Sequence, residues 1–333
     1  MLKKKPVKFA LGLLLTALAL WLSFRNLDWE ALSRSFSRVD IFWVFLAVGN
    51  ILLTVYILGW RWQILLKSKA DIPLSDMFRF NIISQYVNII IPARFGELLK
   101  AWLASRKYSL SGSYVLGTVV IEKIFETFSV VILGVLAPLF FTFQTQLKGH
   151  TLAVGFLVVL VPLVVLVLWK RETVRKWLTR LAKVFPGKLR RRLLIFLDKG
   201  MEAFGLIKDL KMTLKVVLVT FLVILSQVIT NLFLFKAFGL KLFFFEALVL
   251  QLVIIVGMSI PSIPGKLGVF EYTVILGLSM FGVGDNIALS FGLMLHVAAY
   301  LPKIILGFVF MSNLNISIKK AEAEMNKFEG QVN

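Results

Sequence analysis

The sequence predicts an all-α polytopic membrane protein with about six full transmembrane helices and two re-entrant hairpins, arranged as an inverted-topology repeat. Three observations predict this class. Apolar residues make up 59% of the 333-residue chain, and apolar segments long enough to cross a hydrocarbon core of ~30 Å recur from end to end. Two more apolar segments are interrupted near their middle by proline and charged residues. Lysine and arginine concentrate in alternate loops, as expected of loops that face the cytoplasm.

Composition also excludes several classes of function. The formal net charge of +20 would suggest nucleic acid in a soluble chain, but in a membrane chain it first describes the orientation of the loops, so no nucleic-acid partner is expected. The absence of cysteine excludes disulfides and thiol catalysis. With only His150 and His296, neither a metal site nor another cofactor is expected. Nucleotide-binding and hydrolase motifs are also absent, so the chain is not expected to be an enzyme.

The first predicted repeat covers residues 1–141 and contains three spans and one hairpin. Basic residues before the first span place the N-terminus in the cytoplasm. Asp28 is expected to cap a short amphipathic helix in the outer interface, and Arg61 is assigned to the cytoplasmic loop after the second span. The spans are 7–24, 41–60 and 113–141, and the hairpin, 80–104, enters from the cytoplasmic side.

The second predicted repeat covers residues 142–312 and enters the membrane from the opposite side, because the first repeat has an odd number of spans. Its long basic segment is cytoplasmic, as is the tail 313–333, so both termini lie in the cytoplasm of a multi-pass inner-membrane protein. Paired interrupted segments in two halves are typical of inverted-repeat transporters. The spans are 151–169, 213–238 and 286–311, the basic segment is 170–211, and the hairpin is 246–280.

The hairpin at 246–280 is predicted from its length. Each half has roughly fifteen residues, or ~22 Å of helix, which is too short to cross the bilayer core. The break between the halves contains Pro264, Gly265 and Lys266. Backbone groups freed at such a break must be covered by protein or line a polar cavity. The alternative is one long helix with a proline kink.

Charged residues inside these membrane segments are the candidate site residues, because ionisable groups are costly there. Arg94 and Lys266 each follow a break, near the N-terminus of the next half-helix, where an anion is favoured. The alternative is internal pairing of each cation with the glutamate that follows it. The candidate substrate-binding residues are Arg94, Glu97, Glu122, Lys123, Glu126, Pro264, Gly265, Lys266 and Glu271.

Two further groups have open roles. Glu122 and Glu126 share one helical face, where they could line a pathway and exchange protons or act as counter-ions to Arg94 and Lys266. One face of the last span carries three residues that could line the pathway or couple transport to protons. The alternatives are packing for the histidine and snorkelling towards the interface for the lysine. These residues are His296, Tyr300 and Lys303.

Three segments resemble the signatures of the lysylphosphatidylglycerol synthase transmembrane region family, also called flippase-like. They are IPARFGELLKAWLA at 91–104, IEKIFE at 121–126 and PSIPGKLGVFE at 261–271. Arg94, Gly96 and Glu97 match the first pattern, R-x-G-E, and Glu122 with Lys123 matches the second, E-[RK]-x-x-D. Two residues depart from the family patterns: Glu126 stands for the usual aspartate and Lys266 for a usual glycine.

The resemblance implies a lipid translocase of a prokaryotic cytoplasmic membrane. Its substrate would be an anionic or polar-headed phospholipid, an aminoacyl-phospholipid or a polyprenyl-linked lipid. No synthase activity is expected, because the soluble transferase domain of two-part relatives is absent from this sequence. Besides membrane lipids, the partners considered are a second copy of the chain and a lipid-synthesis enzyme. The alternatives are a secondary transporter of a small anion and a non-transporting membrane partner of a lipid-modifying enzyme.

Overall fold

The computed structural model describes residues 16–24, 28–91, 95–140, 209–259 and 262–314. In these ranges all regular structure is helical, so backbone hydrogen bonds are made within each helix, as a membrane interior requires. The helices are α1 (16–24), α2 (Trp29–Ser37), α3 (Ile41–Leu66), α4 (Leu74–Ile90), α5 (Phe95–Lys107), α6 (Gly112–Phe140), α7 (Leu210–Ala237), α8 (Phe244–Gly257), α9 (Val269–Ser279) and α10 (Asp285–Asn313).

The chain forms two compact units, and each is built from separated stretches of sequence. The described residues of unit 1 lie within Met1–Leu58, Asn81–Glu97 and Leu222–Asn315. Those of unit 2 lie within Gly59–Phe80 and Leu98–Phe221. The predicted repeats, 1–141 and 142–312, describe the topology in a membrane, and they stay a prediction.

Within the described residues, three helices are long and apolar enough to cross a membrane. They are α3, α7 and α10, with 26, 28 and 29 residues. At ~1.5 Å per residue each exceeds the ~30 Å hydrocarbon core. Helix α6 also has 29 residues, but it carries three charged side chains, Glu122, Lys123 and Glu126.

The helix of the second predicted span is longer than the span, and the prediction that Arg61 lies in a loop is wrong. Helix α3 continues to Leu66, six residues beyond the predicted end at residue 60. Only 2% of Arg61 is exposed. The error arose because Arg61 precedes several basic residues and was grouped with them as the start of a cytoplasmic loop.

The predicted cap of the short second helix is confirmed. The Asp28 carboxylate accepts hydrogen bonds from the backbone N–H groups of Glu30 at 2.9 Å and Ala31 at 3.1 Å. These bonds satisfy donors that the first turn of a helix leaves open. On α2, Leu32 is buried, whereas Trp29 is 71% exposed.

The segment predicted as the second hairpin forms two separate helices, so the alternative of one kinked helix is wrong. Helix α8 has 14 residues and α9 has 11, and a short 3₁₀ turn, Pro264–Lys266, lies between them. Gly265 adopts φ +76° in this turn, a conformation that glycine tolerates better than other residues. Helix α9 packs against both α8 and α10.

The segment predicted as the first hairpin also contains two helices, α4 and α5. Helix α4 begins at Leu74, earlier than the predicted residue 80. A close approach explains Gly96, because a Cβ there would lie 1.8 Å from the Ser84 carbonyl oxygen. The Gly96 N–H also donates to Asn88 Oδ1 at 2.8 Å. Glycine is therefore the residue that lets these two segments touch.

Several predictions fall outside the described residues. The fourth span, 151–169, lies wholly outside them, as do the basic segment up to residue 208 and the tail beyond residue 314. Arg94 lies outside them as well.

Candidate functional site

A cavity of about 150 Å³, with both polar and apolar walls, lies in unit 1. At ~30 Å³ per molecule, it has room for roughly five waters or one small polar group. In the described part of the chain, all three helices long enough to cross a membrane, α3, α7 and α10, contribute to its lining, together with α4, α8 and α9. The polar lining residues are Thr54, Gln85, Gln227, Thr230, Asn231, Gln251 and Lys303.

Three of these side chains form a directed chain of amide hydrogen bonds. Asn231 Nδ2 donates to the Ala247 carbonyl oxygen at 3.3 Å and to Gln251 Oε1 at 3.2 Å. Gln251 Nε2 then donates to Gln227 Oε1 at 3.2 Å. A backbone carbonyl can only accept, so Ala247 fixes which end of the Asn231 amide carries the donors.

This direction leaves the oxygen of Asn231 unsatisfied. Asn231 is fully buried, and its Oδ1 has no hydrogen-bond partner among the described residues. Leaving a buried acceptor unpaired costs about 1–3 kcal/mol. Among buried polar groups such an exception needs a reason, and a site that receives a ligand is one.

A second hydrogen-bonded group joins α3 to α7 beside the cavity. Asn50 Nδ2 donates to the Ser226 carbonyl oxygen at 2.6 Å and to Thr230 Oγ1 at 2.8 Å. The hydroxyls of Thr54 and Ser226 are 2.7 Å apart. These bonds hold the two apolar helices in one register, so the polar groups on the cavity wall have fixed positions.

Glu271 and His296 form a buried pair next to the cavity. Their Oε1 and Nδ1 atoms are 2.6 Å apart, and the two residues are 2% and 7% exposed. Glu271 Oε2 also accepts from the Gly268 N–H at 2.7 Å, at the start of α9. The imidazole packs edge-on against Phe270, which lines the cavity, at 4.8 Å between ring centroids. The contact therefore joins α9 to α10 beside the cavity.

Unit 2 contains a buried ionic cluster centred on Glu122. Its Oε1 lies 3.3 Å from Arg61 Nη2, and its Oε2 lies 2.7 Å from Lys100 Nζ. Arg61 and Glu122 are each 2% exposed. Lys100 also lies 4.4 Å above the ring of Trp62. The single negative charge of Glu122 is thus shared between two cations, Arg61 and Lys100.

The second carboxylate on α6 is more exposed. Glu126 lies 2.8 Å from Lys123 and 3.5 Å from Arg61, and its side chain is 31% exposed. Lys123 is 45% exposed, so its side chain lies on a different side of α6 from Glu122. Of the two carboxylates, Glu122 is therefore the one held inside the unit.

A third ionic group joins the start of α4 to the end of α5 in unit 2. Asp76 Oδ2 accepts from Lys107 Nζ at 2.5 Å and from the Tyr108 hydroxyl. Burial raises the pKa of Asp76, but the hydrogen bonds from Lys107 and Tyr108 outweigh it, so the pKa is lowered overall. Burial and then the bond to Asp76 raise the pKa of Tyr108.

The comparisons with known proteins decide the family. The family model named lysylphosphatidylglycerol synthase TM region matches residues 9–307 of this chain. The chain belongs to this family. It is also similar to a UPF0104 membrane protein of Pyrococcus horikoshii, which is 23% identical over 341 residues, spanning 96% of this chain and 100% of the relative. The resemblance of the three motifs is therefore confirmed, and the chain is an integral membrane protein of the lysylphosphatidylglycerol synthase TM region family.

The structure places the motif residues of this family member in both units. The second motif supplies Glu122, whose partners Arg61 and Lys100 lie outside that motif. The third supplies Glu271, which pairs with His296. Glu97 lies in the first turn of α5, and Lys266 lies in the turn before α9.

Sequence analysis found the ionic residues of this family member better than the neutral polar ones. It did not single out Asn50, Thr54 or Gln85. A signal was present: Asn50 and Thr54 are four residues apart in an otherwise apolar helix, which puts them on one face. Lys303 was singled out, and it lines the cavity.

Proposed function

We propose that this protein is a lipid translocase that moves an anionic or polar-headed lipid between the leaflets of a prokaryotic cytoplasmic membrane. One observation carries the proposal: all three of the long apolar helices of the described residues line a single cavity, whose wall contains seven polar side chains. Amides and a lysine are costly at membrane depth and are found where they line a pathway or a binding site. A lipid can use such a cavity for its headgroup while its acyl chains stay in the bilayer.

The proposed topology has about six spans and two re-entrant hairpins, related as inverted repeats, with both termini in the cytoplasm. The lengths of α8 and α9, 14 and 11 residues, support a hairpin, since ~21 Å and ~17 Å of helix are each too short to cross the bilayer core. Alternating exposure of a midplane site is the usual mechanism of such repeats.

In this mechanism the residues bind and release a headgroup, and no covalent bond changes. The Lys303 ammonium attracts the phosphate, and the amides of Gln227 and Gln251 orient it. Arg94 and Lys266 remain proposed anion ligands at the two breaks. The Glu271–His296 pair is proposed to exchange the proton if transport is coupled to a gradient.

The proposal is tested with the purified protein in liposomes that contain a trace of fluorescent phosphatidylglycerol. Headgroup accessibility to an external quencher reports movement between leaflets. We expect Lys303→Met to slow translocation by roughly tenfold, because losing one charge-assisted contact is worth about 1.4 kcal/mol or more. Lys215→Met removes an exposed lysine from α7 and should leave the rate unchanged. Wild-type protein that moves no lipid, with or without an ion gradient, would contradict the proposal.

The size of the cavity favours one alternative, a transporter of a small soluble anion. A volume of about 150 Å³ would hold such an ion completely, whereas it holds only part of a lipid. Uptake of radiolabelled phosphate by the same liposomes, without movement of the fluorescent lipid, would establish this second function.

A further inference from the structure

We propose that Asn231 selects headgroups that carry a hydrogen-bond donor as well as a negative charge. Its Oδ1 would accept a bond from a hydroxyl or ammonium of a headgroup bound in the unit 1 cavity. The identification of the ligand as a lipid rests on the proposed function. The selectivity itself rests on the hydrogen bonds around Asn231.

The first step is the fixed direction of the Asn231 amide. Turning the amide over would set its oxygen against the Ala247 carbonyl oxygen and against Gln251 Oε1, which now accept its N–H groups at 3.3 and 3.2 Å. Both contacts would then join two acceptors. Asn231 therefore offers an acceptor and cannot offer its donors to a ligand.

The second step is that this acceptor belongs to a residue of the cavity wall. Asn231 is fully buried and lines the cavity, and its Oδ1 has no partner among the described residues. In a setting of low polarity an unpaired acceptor is more costly than in water. A ligand with a donor removes this cost, whereas a ligand without one leaves it in place.

The third step is the charge of the same wall. Lys303 also lines the cavity and is the one ionisable residue among the described residues of its wall. A ligand that satisfies both Lys303 and Asn231 combines an anion with an O–H or N–H group. A phosphate ester of a hydroxylated alcohol meets both requirements, whether it is a lipid headgroup or a soluble ester. A phosphate ester of methanol meets only the first.

A matched pair of lipids tests the inference by binding, without any transport step. Phosphatidylglycerol and phosphatidylmethanol have the same chains and charge, and only the first has hydroxyl donors. Dissociation constants for the two are measured by native mass spectrometry of the full chain in detergent. We expect wild-type protein to prefer phosphatidylglycerol by roughly three- to tenfold, the value of one net hydrogen bond. Asn231→Leu should bring the ratio close to one.

The control is Thr220→Val on the same helix. Thr220 is also fully buried, and its hydroxyl bonds only to the Val216 carbonyl oxygen among the contacts of the described residues. This variant should keep the wild-type ratio. A wild-type ratio near one overturns the inference, and so does an unchanged ratio in folded Asn231→Leu. If that variant does not fold, the wild-type ratio alone decides.

Two soluble esters separate this inference from the proposed function. Glycerol phosphate and methyl phosphate are added as competitors of lipid binding at about pH 8, where both phosphates are doubly ionised and only glycerol phosphate carries hydrogen-bond donors. If glycerol phosphate alone competes and no lipid is translocated in liposomes, Asn231 has the proposed selectivity, and the lipid translocase is wrong. If lipids are translocated but phosphatidylglycerol and phosphatidylmethanol bind equally, the translocase stands and the selectivity of Asn231 is wrong.

Discussion

At the scale of single residues, Glu122 gives the clearest expectation for stability. Its carboxylate is buried against Arg61 and Lys100. Glu122→Gln removes the buried carboxylate that pairs with both buried cations, which should lower the free energy of unfolding by about 3–5 kcal/mol. Thermal unfolding in detergent measures the loss.

Glu126→Gln is the matched control for this change, because Glu126 lies one turn further along α6 and is 31% exposed. Its pair with the exposed Lys123 is screened by water, and Arg61 keeps Glu122 as a partner, so this change should cost no more than about 1 kcal/mol. Equal losses for the two variants would contradict the buried cluster.

Asp76 predicts a dependence of stability on pH. Its folded pKa is below the ordinary 3.8, so its contribution is complete above that value and is lost as the pH falls through the folded pKa. Asp76→Asn should cost about 1–2 kcal/mol at pH 7. It should also flatten the decline of the melting temperature as the pH falls below 3.8. Parallel pH profiles for wild type and variant would rule out this role.

The ionic residues show how far single positions could be predicted. Glu122 was found because a carboxylate within an apolar helix is costly and rarely accidental. Its partner Arg61 was not found, because a run of basic residues follows it and no sequence rule separates the last buried cation from the first exposed one. Lys123 was found on the same rule as Glu122, yet it is 45% exposed, since neighbouring residues on a helix point about 100° apart.

At the scale of elements, Gly96 tests the contact inside the first predicted hairpin. An alanine Cβ would lie 1.8 Å from the Ser84 carbonyl oxygen, and backbone must move to admit it. We expect Gly96→Ala to lower the melting temperature strongly, by an amount corresponding to about 3 kcal/mol or more, since overpacking typically costs 1–3 kcal/mol and here the clash is with backbone.

Gly49→Ala on α3 is the control, because no atom lies within 4 Å of an added Cβ there. It should be neutral or stabilising by up to about 1 kcal/mol, as alanine is the better helix former. Normal stability of Gly96→Ala would contradict the close approach.

Helix boundaries were predicted correctly where the local sequence signal was strong. Asp28 marked the start of α2 because its side chain caps the helix. Pro264 and Gly265 marked the break before α9 because neither continues an α-helix easily. The end of α3 and the start of α4 were misplaced, because charged residues there are buried by tertiary contacts that a local pattern does not contain.

At the scale of the whole molecule, hydropathy and charge predicted an all-helical membrane protein, and the family match confirms the class. The inverted repeat and the two re-entrant hairpins stay predictions. The polar cavity was not predicted as a cavity. Its neutral polar residues come from four helices, α3, α4, α7 and α8, and no spacing within one helix reveals which of them converge.

The central claim is that lipid headgroups pass through the unit 1 cavity, and the absence of cysteine allows a direct test. Gln227→Cys places one thiol on the cavity wall, whereas Leu225→Cys places one on an exposed face of the same helix, at a residue that is 41% exposed. Each protein is treated with a charged methanethiosulfonate reagent, and lipid translocation in liposomes is compared before and after. The account predicts that complete modification abolishes translocation by Gln227→Cys and leaves Leu225→Cys and wild type unchanged. Undiminished translocation by fully modified Gln227→Cys would contradict it.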